Sequence, residues 1–134
     1  MIGIVIVAHG GLAAEYLAAM EHVVGPMPGV KAVSISRADE RGAKQAEISL
    51  AINEVDTGDG VIVVTDLFGG TPSNLAVNAC AIGDRKVIYG ANLPLLVKLA
   101  KSRHLKLDES VRRACEAGHK YMNSMEPFNK KGKE

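Results

Sequence analysis

Ile4-Val5-Ile6-Val7-Ala8-His9-Gly10-Gly11 sets the pattern of this chain, and Val61-Ile62-Val63-Val64-Thr65-Asp66-Leu67-Phe68-Gly69-Gly70-Thr71-Pro72-Ser73-Asn74 repeats it further along. Each segment begins with a continuous apolar, β-branched run, the mark of a strand buried on both faces of a parallel sheet. Each run stops at a polar residue followed by glycines. In open α/β sheets, ligands bind outside the carboxyl ends of the strands. One such rim carries an imidazole, His9, and the other a carboxylate, Asp66.

Outward from these two segments, strand and helix signals alternate. Ile2–Ala8 reads as a strand and Leu12–Val24 as a helix, because Leu12, Tyr16, Leu17, Met20, Val23 and Val24 recur at helical spacing. Gly25-Pro26-Met27-Pro28-Gly29 breaks that helix. Val30–Ser36 is a second strand, polar residues follow, and a helix covers Gly42–Val55. Val61–Thr65 is the third strand. Thr71 is expected to cap a helix with Pro72 at its first position and an end near Ile82. Lys86–Gly90 is the fourth strand. Helices follow over Leu95–Ser102 and, capped by Asp108, from Glu109 to Ser124.

This β-α-β-α order with right-handed crossovers implies a doubly wound α/β fold with a mainly parallel sheet and helices on both faces, and with the first two connections running in opposite directions its strand order is 2-1-3-4. The crevice then opens between the carboxyl ends of strands one and three, which lie about 4.8 Å apart. His9 and Asp66 end those strands, so the strand order alone makes them neighbours.

The 134 residues suffice for one ordinary hydrophobic core, and 47% apolar with 23% charged residues is the balance of a soluble globular protein. Residues 1–126 are expected to form a single domain, and 127–134 a disordered basic tail. A net charge of +1 gives no electrostatic case for nucleic acid or an anionic membrane. The first apolar run is too short to span a bilayer and no basic region precedes it, so a cytoplasmic location is expected. Cys80 and Cys115 fall in apolar helical patterns and read as core thiols. His22, His104 and His119 read as structural or solvated. The histidines and cysteines lack metal-ligand spacing, and neither G-x-G-x-x-G nor a Walker lysine follows the first strand. No metal or cofactor is expected.

A histidine that donates one ring N–H to a carboxylate keeps a lone pair on the other nitrogen, free to act as base or nucleophile. The carboxylate also favours the cationic product of attack. Beside Asp66, the backbone N–H groups of Gly69, Gly70 and Thr71 at a helix start suit a phosphoryl oxyanion, and the Thr71 and Ser73 hydroxyls can add donors. A nucleophilic imidazole facing an anion-binding helix terminus is equipment for accepting a phosphoryl group.

The blocks Ile4–Gly10 with Leu12-Ala13, Thr65–Asn74, and Val87-Ile88-Tyr89-Gly90-Ala91-Asn92-Leu93-Pro94-Leu95-Leu96 resemble the mannose-type enzyme IIA family of the bacterial phosphoenolpyruvate-dependent sugar phosphotransferase system. The resemblance covers almost the whole chain in the family's order. Its glycine-rich block disfavours the related dihydroxyacetone kinase phosphotransfer subunit. The resemblance implies that His9 accepts a phosphoryl group from phospho-HPr, through Nε2, and passes it to an enzyme IIB on a separate chain. It implies that Asp66 holds the other ring nitrogen, that Gly70, Thr71 and Ser73 line the phosphate pocket, and that Asn92 closes the rim. It further implies a homodimer whose contact with the membrane is only indirect, through a permease. No fifth strand is visible in the sequence to pair across two subunits.

Other readings of the same residues are a regulatory IIA uncoupled from sugar uptake, a non-catalytic flavodoxin-like module binding a phosphometabolite, and a hydrolase using His9 as base. The last lacks an evident nucleophile.

Overall fold

A computed structural model of the chain describes residues 1–67 and 69–127. Its strands are β1 (Gly3–His9), β2 (Val30–Ile35), β3 (Val61–Thr65) and β4 (Arg85–Ile88); its helices are α1 (Leu12–Val24), α2 (Arg41–Val55), α3 (Thr71–Ala79), α4 (Leu93–Lys101) and α5 (Leu107–Lys120). The strands form one sheet of order β2-β1-β3-β4, parallel throughout. This is the doubly wound α/β architecture and the strand order read from the sequence.

The period of two along β1 divides the core. Ile4, Ile6 and Ala8 join Ile62 and Val64 of β3 in one apolar cluster, filled from α1, α4 and α5 by Met20, Leu96, Leu99 and Ala114. Val5 and Val7 join Val61 and Val63 in a second cluster with Ile48, Ile52, Leu75 and Ala76 from α2 and α3. Every side chain from Ile4 to Ala8 is fully buried. At roughly 1.5–3 kcal/mol for each large aliphatic side chain buried, these central strands are the chief apolar contribution to stability. Neither can slip by a residue without exchanging its two faces. That requirement pins Gly3 opposite Val61 and Val7 opposite Thr65, which fixes where β1 and β3 end.

At the amino ends of the strands, Arg103 takes the place of a structural clamp. It is 5% exposed, and its guanidinium donates to the carbonyl of Ile2 at 2.7 Å and of Gly29 at 3.3 Å. Cys80 and Cys115 are free thiols packed against opposite clusters, hence on opposite sides of the sheet. Burial pushes the Cys80 thiol up to about 11.

Several element ends differ from the sequence reading. The cap of α3 is Gly70, extended at φ −85° and ψ 176°, and Thr71 is already helical. The helix stops at Ala79, ahead of the turn around Gly83, whose φ is +88°. Asn92 caps α4 by accepting the Leu95 N–H, which brings Leu93 and Pro94 into the first turn, where a missing N–H costs nothing. Lys106 precedes α5, so Asp108 is not a cap; it lies in the first turn and pairs with Lys86 at 3.3 Å. The same helix ends at Lys120, and the Asn123 side chain then accepts the Ser124 N–H in the non-helical way asparagine favours. Of the tail expected over 127–134, residues 128–134 lie outside the described residues.

Candidate functional site

His9 is the last residue of β1, with Ile35 of β2 as its register partner, and Asp66 follows the last residue of β3. The adjacency implied by the strand order is a direct contact. Asp66 Oδ2 accepts the His9 backbone N–H at 3.0 Å and lies 2.8 Å from imidazole Nδ1, while Oδ1 accepts the Leu67 N–H at 2.9 Å. The carboxylate side chain is 8% exposed and the imidazole 49%. Asp66 is thus packed away as a fixed acceptor, and His9 faces solvent.

Burial would raise the Asp66 carboxyl, but the hydrogen bonds from the His9 backbone and ring, with the attraction of the imidazole, prevail and hold it below its ordinary value. Asp66 is therefore ionised at neutral pH and can only accept. The proton of the neutral imidazole then belongs on Nδ1, and Nε2 presents its lone pair outward.

The glycine-rich loop meets that outer edge of the ring. A Cβ on Gly70 would fall 3.2 Å from His9 Cε1 and 3.5 Å from Nε2, so the backbone approaches closely only because the residue is glycine. Gly69 before it has φ +87°, in the left-handed region. The first backbone hydrogen bond of α3 runs from the Asn74 N–H to the Gly70 carbonyl at 3.0 Å. The amides of Thr71 and Ser73 precede that bond and have no intrahelical acceptor by helix geometry. Ser73 is buried at 2% exposure, and Thr71 borders an open groove that also touches His9. Gly70 thus stands beside the free edge of the imidazole, with Gly69 before it and Thr71 and Ser73 in the first turn of α3.

Asn92 is placed differently from its neighbours in that set. Its Oδ1 caps α4, and its Nδ2 donates to the Gly118 carbonyl of α5 at 3.0 Å, so both ends of the amide hold the scaffold. Tyr16, read from the sequence only as part of an apolar helical face, donates its hydroxyl to the Ala91 carbonyl at 3.1 Å. Burial first, and the Asp66 charge second, raise its phenol above the ordinary value. It ties α1 to the turn after β4 within electrostatic reach of the carboxylate.

The groove beside His9 occupies about 760 Å³ and is lined by Gly10, Ile35, Ser36, Arg37, Asp39 and Arg41 as well as His9 and Thr71. Arg37 lies on the β2–α2 connection and Arg41 is the first residue of α2, in a stretch that the sequence reading passed over as merely polar. Its position after the carboxyl end of a strand adjacent to β1 is the signal that marks it as part of the rim. His22, His104 and His119 are absent from both the groove and the Asp66 contact. Among the described residues no three His, Cys, Asp or Glu side chains are grouped to hold a metal ion, and no helix is long and apolar enough to cross a membrane.

The likeness to known proteins extends over most of the chain. The family model described as PTS system fructose IIA component, EIIA-man, matches residues 3–115. The chain is 31% identical over 127 residues to YadI of Escherichia coli (strain K12), named as a candidate phosphotransferase enzyme IIA component, covering 93% of this chain and 87% of that protein. It is 28% identical to the PTS system mannose-specific EIIAB component of the same organism; the match covers 92% of this chain but spans only 39% of that relative's length. The solved mannose/sorbose specific IIA subunit of the phosphotransferase system from Enterococcus faecalis superposes with a TM-score of 0.84 at 26% identity, covering 94% of this chain and 96% of that one. Sequence and fold agree: the chain belongs to the EIIA-man family of phosphotransferase system IIA components.

Proposed function

We propose that this protein is a phosphohistidine carrier in which His9 accepts a phosphoryl group from phospho-HPr and passes it to an enzyme IIB. The observation that carries this reading is the 2.8 Å contact between His9 Nδ1 and the buried Asp66 carboxylate, which leaves Nε2 free at the end of α3. In the step, the Nε2 lone pair attacks phosphorus, and the bond from phosphorus to the donor breaks with its electron pair leaving on the donor. The ring becomes a cation with its proton still on Nδ1, stabilised by Asp66. The Thr71 and Ser73 amides and the close backbone of Gly69 and Gly70 receive the phosphoryl oxygens, with the helix dipole adding to their attraction. Transfer onward to IIB runs the same exchange with the roles reversed. Asn92 serves the pocket through the scaffold, by fixing the rim at the start of α4.

Residues 1–126 are proposed as one carrier domain that pairs with a second copy. Exposed Leu93 and Tyr121, with Pro94 and Val97, form an apolar surface patch that supports such pairing. Sedimentation that gives only monomer at working concentration would remove the dimer from the proposal.

The decisive test is incubation with phosphoenolpyruvate, enzyme I and HPr. A single acid-labile, base-stable phosphoryl group is expected on the wild-type chain. His9→Ala should take up none while keeping its circular dichroism and melting transition. Label persisting in that variant, or wild-type protein that takes up none, refutes the reading.

A further inference from the structure

The groove beside His9 has a cationic wall whose charges are matched to nothing in the resting protein. His9, Gly10 and Thr71 form one side, and Ser36, Arg37, Asp39 and Arg41 the other. Elsewhere the arginines are engaged: Arg85 with Asp56, Arg103 with two backbone carbonyls, and Arg112 and Arg113 with Glu109. Arg37 and Arg41 are exposed, and among the described residues neither has a hydrogen bond or an ion pair. Asp39, the carboxylate in the same lining, is already committed. It accepts the Ser36 N–H at 2.7 Å and lies 3.8 Å from Lys44 Nζ. Two free guanidinium groups therefore face an open space that the reactive imidazole shares.

That space is where a charge must be accommodated. A phosphoryl group on Nε2 carries about −1.5 to −2 charges at neutral pH. It would stand close to the Asp66 carboxylate, itself ionised and nearly excluded from water. The terminus of α3 offers only about half a unit of positive charge against this. Guanidinium groups supply whole charges and a planar fork that fits phosphoryl oxygens. The backbone places them on the same rim: Arg37 is two residues past Ile35, the register partner of His9, and Arg41 opens α2, both lining the groove that His9 lines.

We propose that Arg37 and Arg41 form a phosphoryl-binding clamp, closing on the group carried by His9 from the side opposite Gly70 and Thr71. The inference rests on the carrier reading above. It assigns the β2–α2 connection a part in holding the phosphoryl group itself, distinct from docking the acidic side chains of a protein donor.

Phosphoramidate separates these possibilities, because it phosphorylates imidazole without any protein partner. The Nε2 lone pair attacks its phosphorus, the P–N bond breaks, and ammonia leaves with the electron pair. Labelling of His9 is followed by 31P NMR for the wild type, for the double variant Arg37→Gln, Arg41→Gln, and for its charge-keeping counterpart with lysine at both positions. If the arginines hold the phosphoryl group, the glutamine variant should label about ten-fold more slowly or worse, in keeping with the strength of charged hydrogen bonds, and lysine should restore part of the rate. Its phosphohistidine should also hydrolyse at an altered rate. Wild-type rates with phosphoramidate, and a deficit only with phospho-HPr, would overturn the clamp in favour of docking acidic side chains. Wild-type protein that takes label from neither donor overturns the carrier reading and the clamp together.

Discussion

Asp66 holds His9 at two points through a single oxygen: Oδ2 accepts the backbone N–H at 3.0 Å and lies 2.8 Å from ring Nδ1. Main chain and side chain of the histidine are thereby referenced to the same buried group. The ring's orientation is set by the ends of two adjacent strands and does not depend on a flexible loop.

Asp66→Asn keeps the size of that group but removes its charge and the stabilisation of the cationic ring. Phosphoryl transfer should slow by about 10–100-fold in both directions, the usual effect of losing a histidine-orienting partner. Rapid-quench measurement with phospho-HPr checks this. Unchanged rates would mean that the carboxylate is not engaged during transfer.

The same carboxyl makes stability depend on acid. Its folded-state pKa is depressed, so the unfolded chain binds the proton more readily. The stabilisation is complete above the unfolded value of about 3.9 and is lost as pH falls through the lower folded value. Denaturant melts of wild type and Asp66→Asn between pH 6 and pH 2 should therefore converge at the acid end. Equal slopes in the two proteins below about pH 4 would contradict the assignment.

Gly70→Ala places a methyl group 3.2 Å from His9 Cε1. Because the φ of Gly70 is −85°, alanine fits the backbone, and the cost falls on the ring, which must turn away. Melting should shift little, by about 1 kcal/mol or less, the range of an unstrained glycine-to-alanine change. Labelling of His9 should nevertheless fall several-fold. A rate equal to wild type would show that the loop does not abut the reactive edge.

Asn92→Ala reverses that profile. It removes the cap of α4 and the bond to the Gly118 carbonyl, so a loss of about 1–2 kcal/mol is expected from the cap alone. The phosphorylation rate of the folded fraction should stay near wild type. A large drop in rate without loss of stability would place Asn92 on the phosphoryl group instead.

What the sequence made legible follows from where information is repeated. The buried runs of β1 and β3 and the turns between elements state the element order redundantly, and once the first two connections run in opposite directions the strand order brings His9 next to Asp66. Single-residue details are less protected. Thr71 and Gly70 both suit a helix cap, and the extended backbone of Gly70 decides between them. Asp108 resembles a cap until Lys106 and Leu107 are seen to start the helix two residues ahead. Arg37 and Arg41 carry no periodic signal, because an exposed connection and the exposed start of a helix are not constrained by burial. Their relation to His9 exists only once β2 lies against β1. The Asn92 cap bond is local, but its second bond depends on Gly118, which is distant in sequence and silent in pattern.

The arginine buried beneath the sheet has a consequence for the opposite rim. Arg103 fastens the start of β1 to the turn before β2 through backbone carbonyls, whatever side chains those positions carry. The foundations of the two strands are thus secured far from the chemistry. Substitutions on the rim after β2 can therefore alter how a group on His9 is held while the starts of both strands stay fastened, so the chemistry of the rim and folding can change independently.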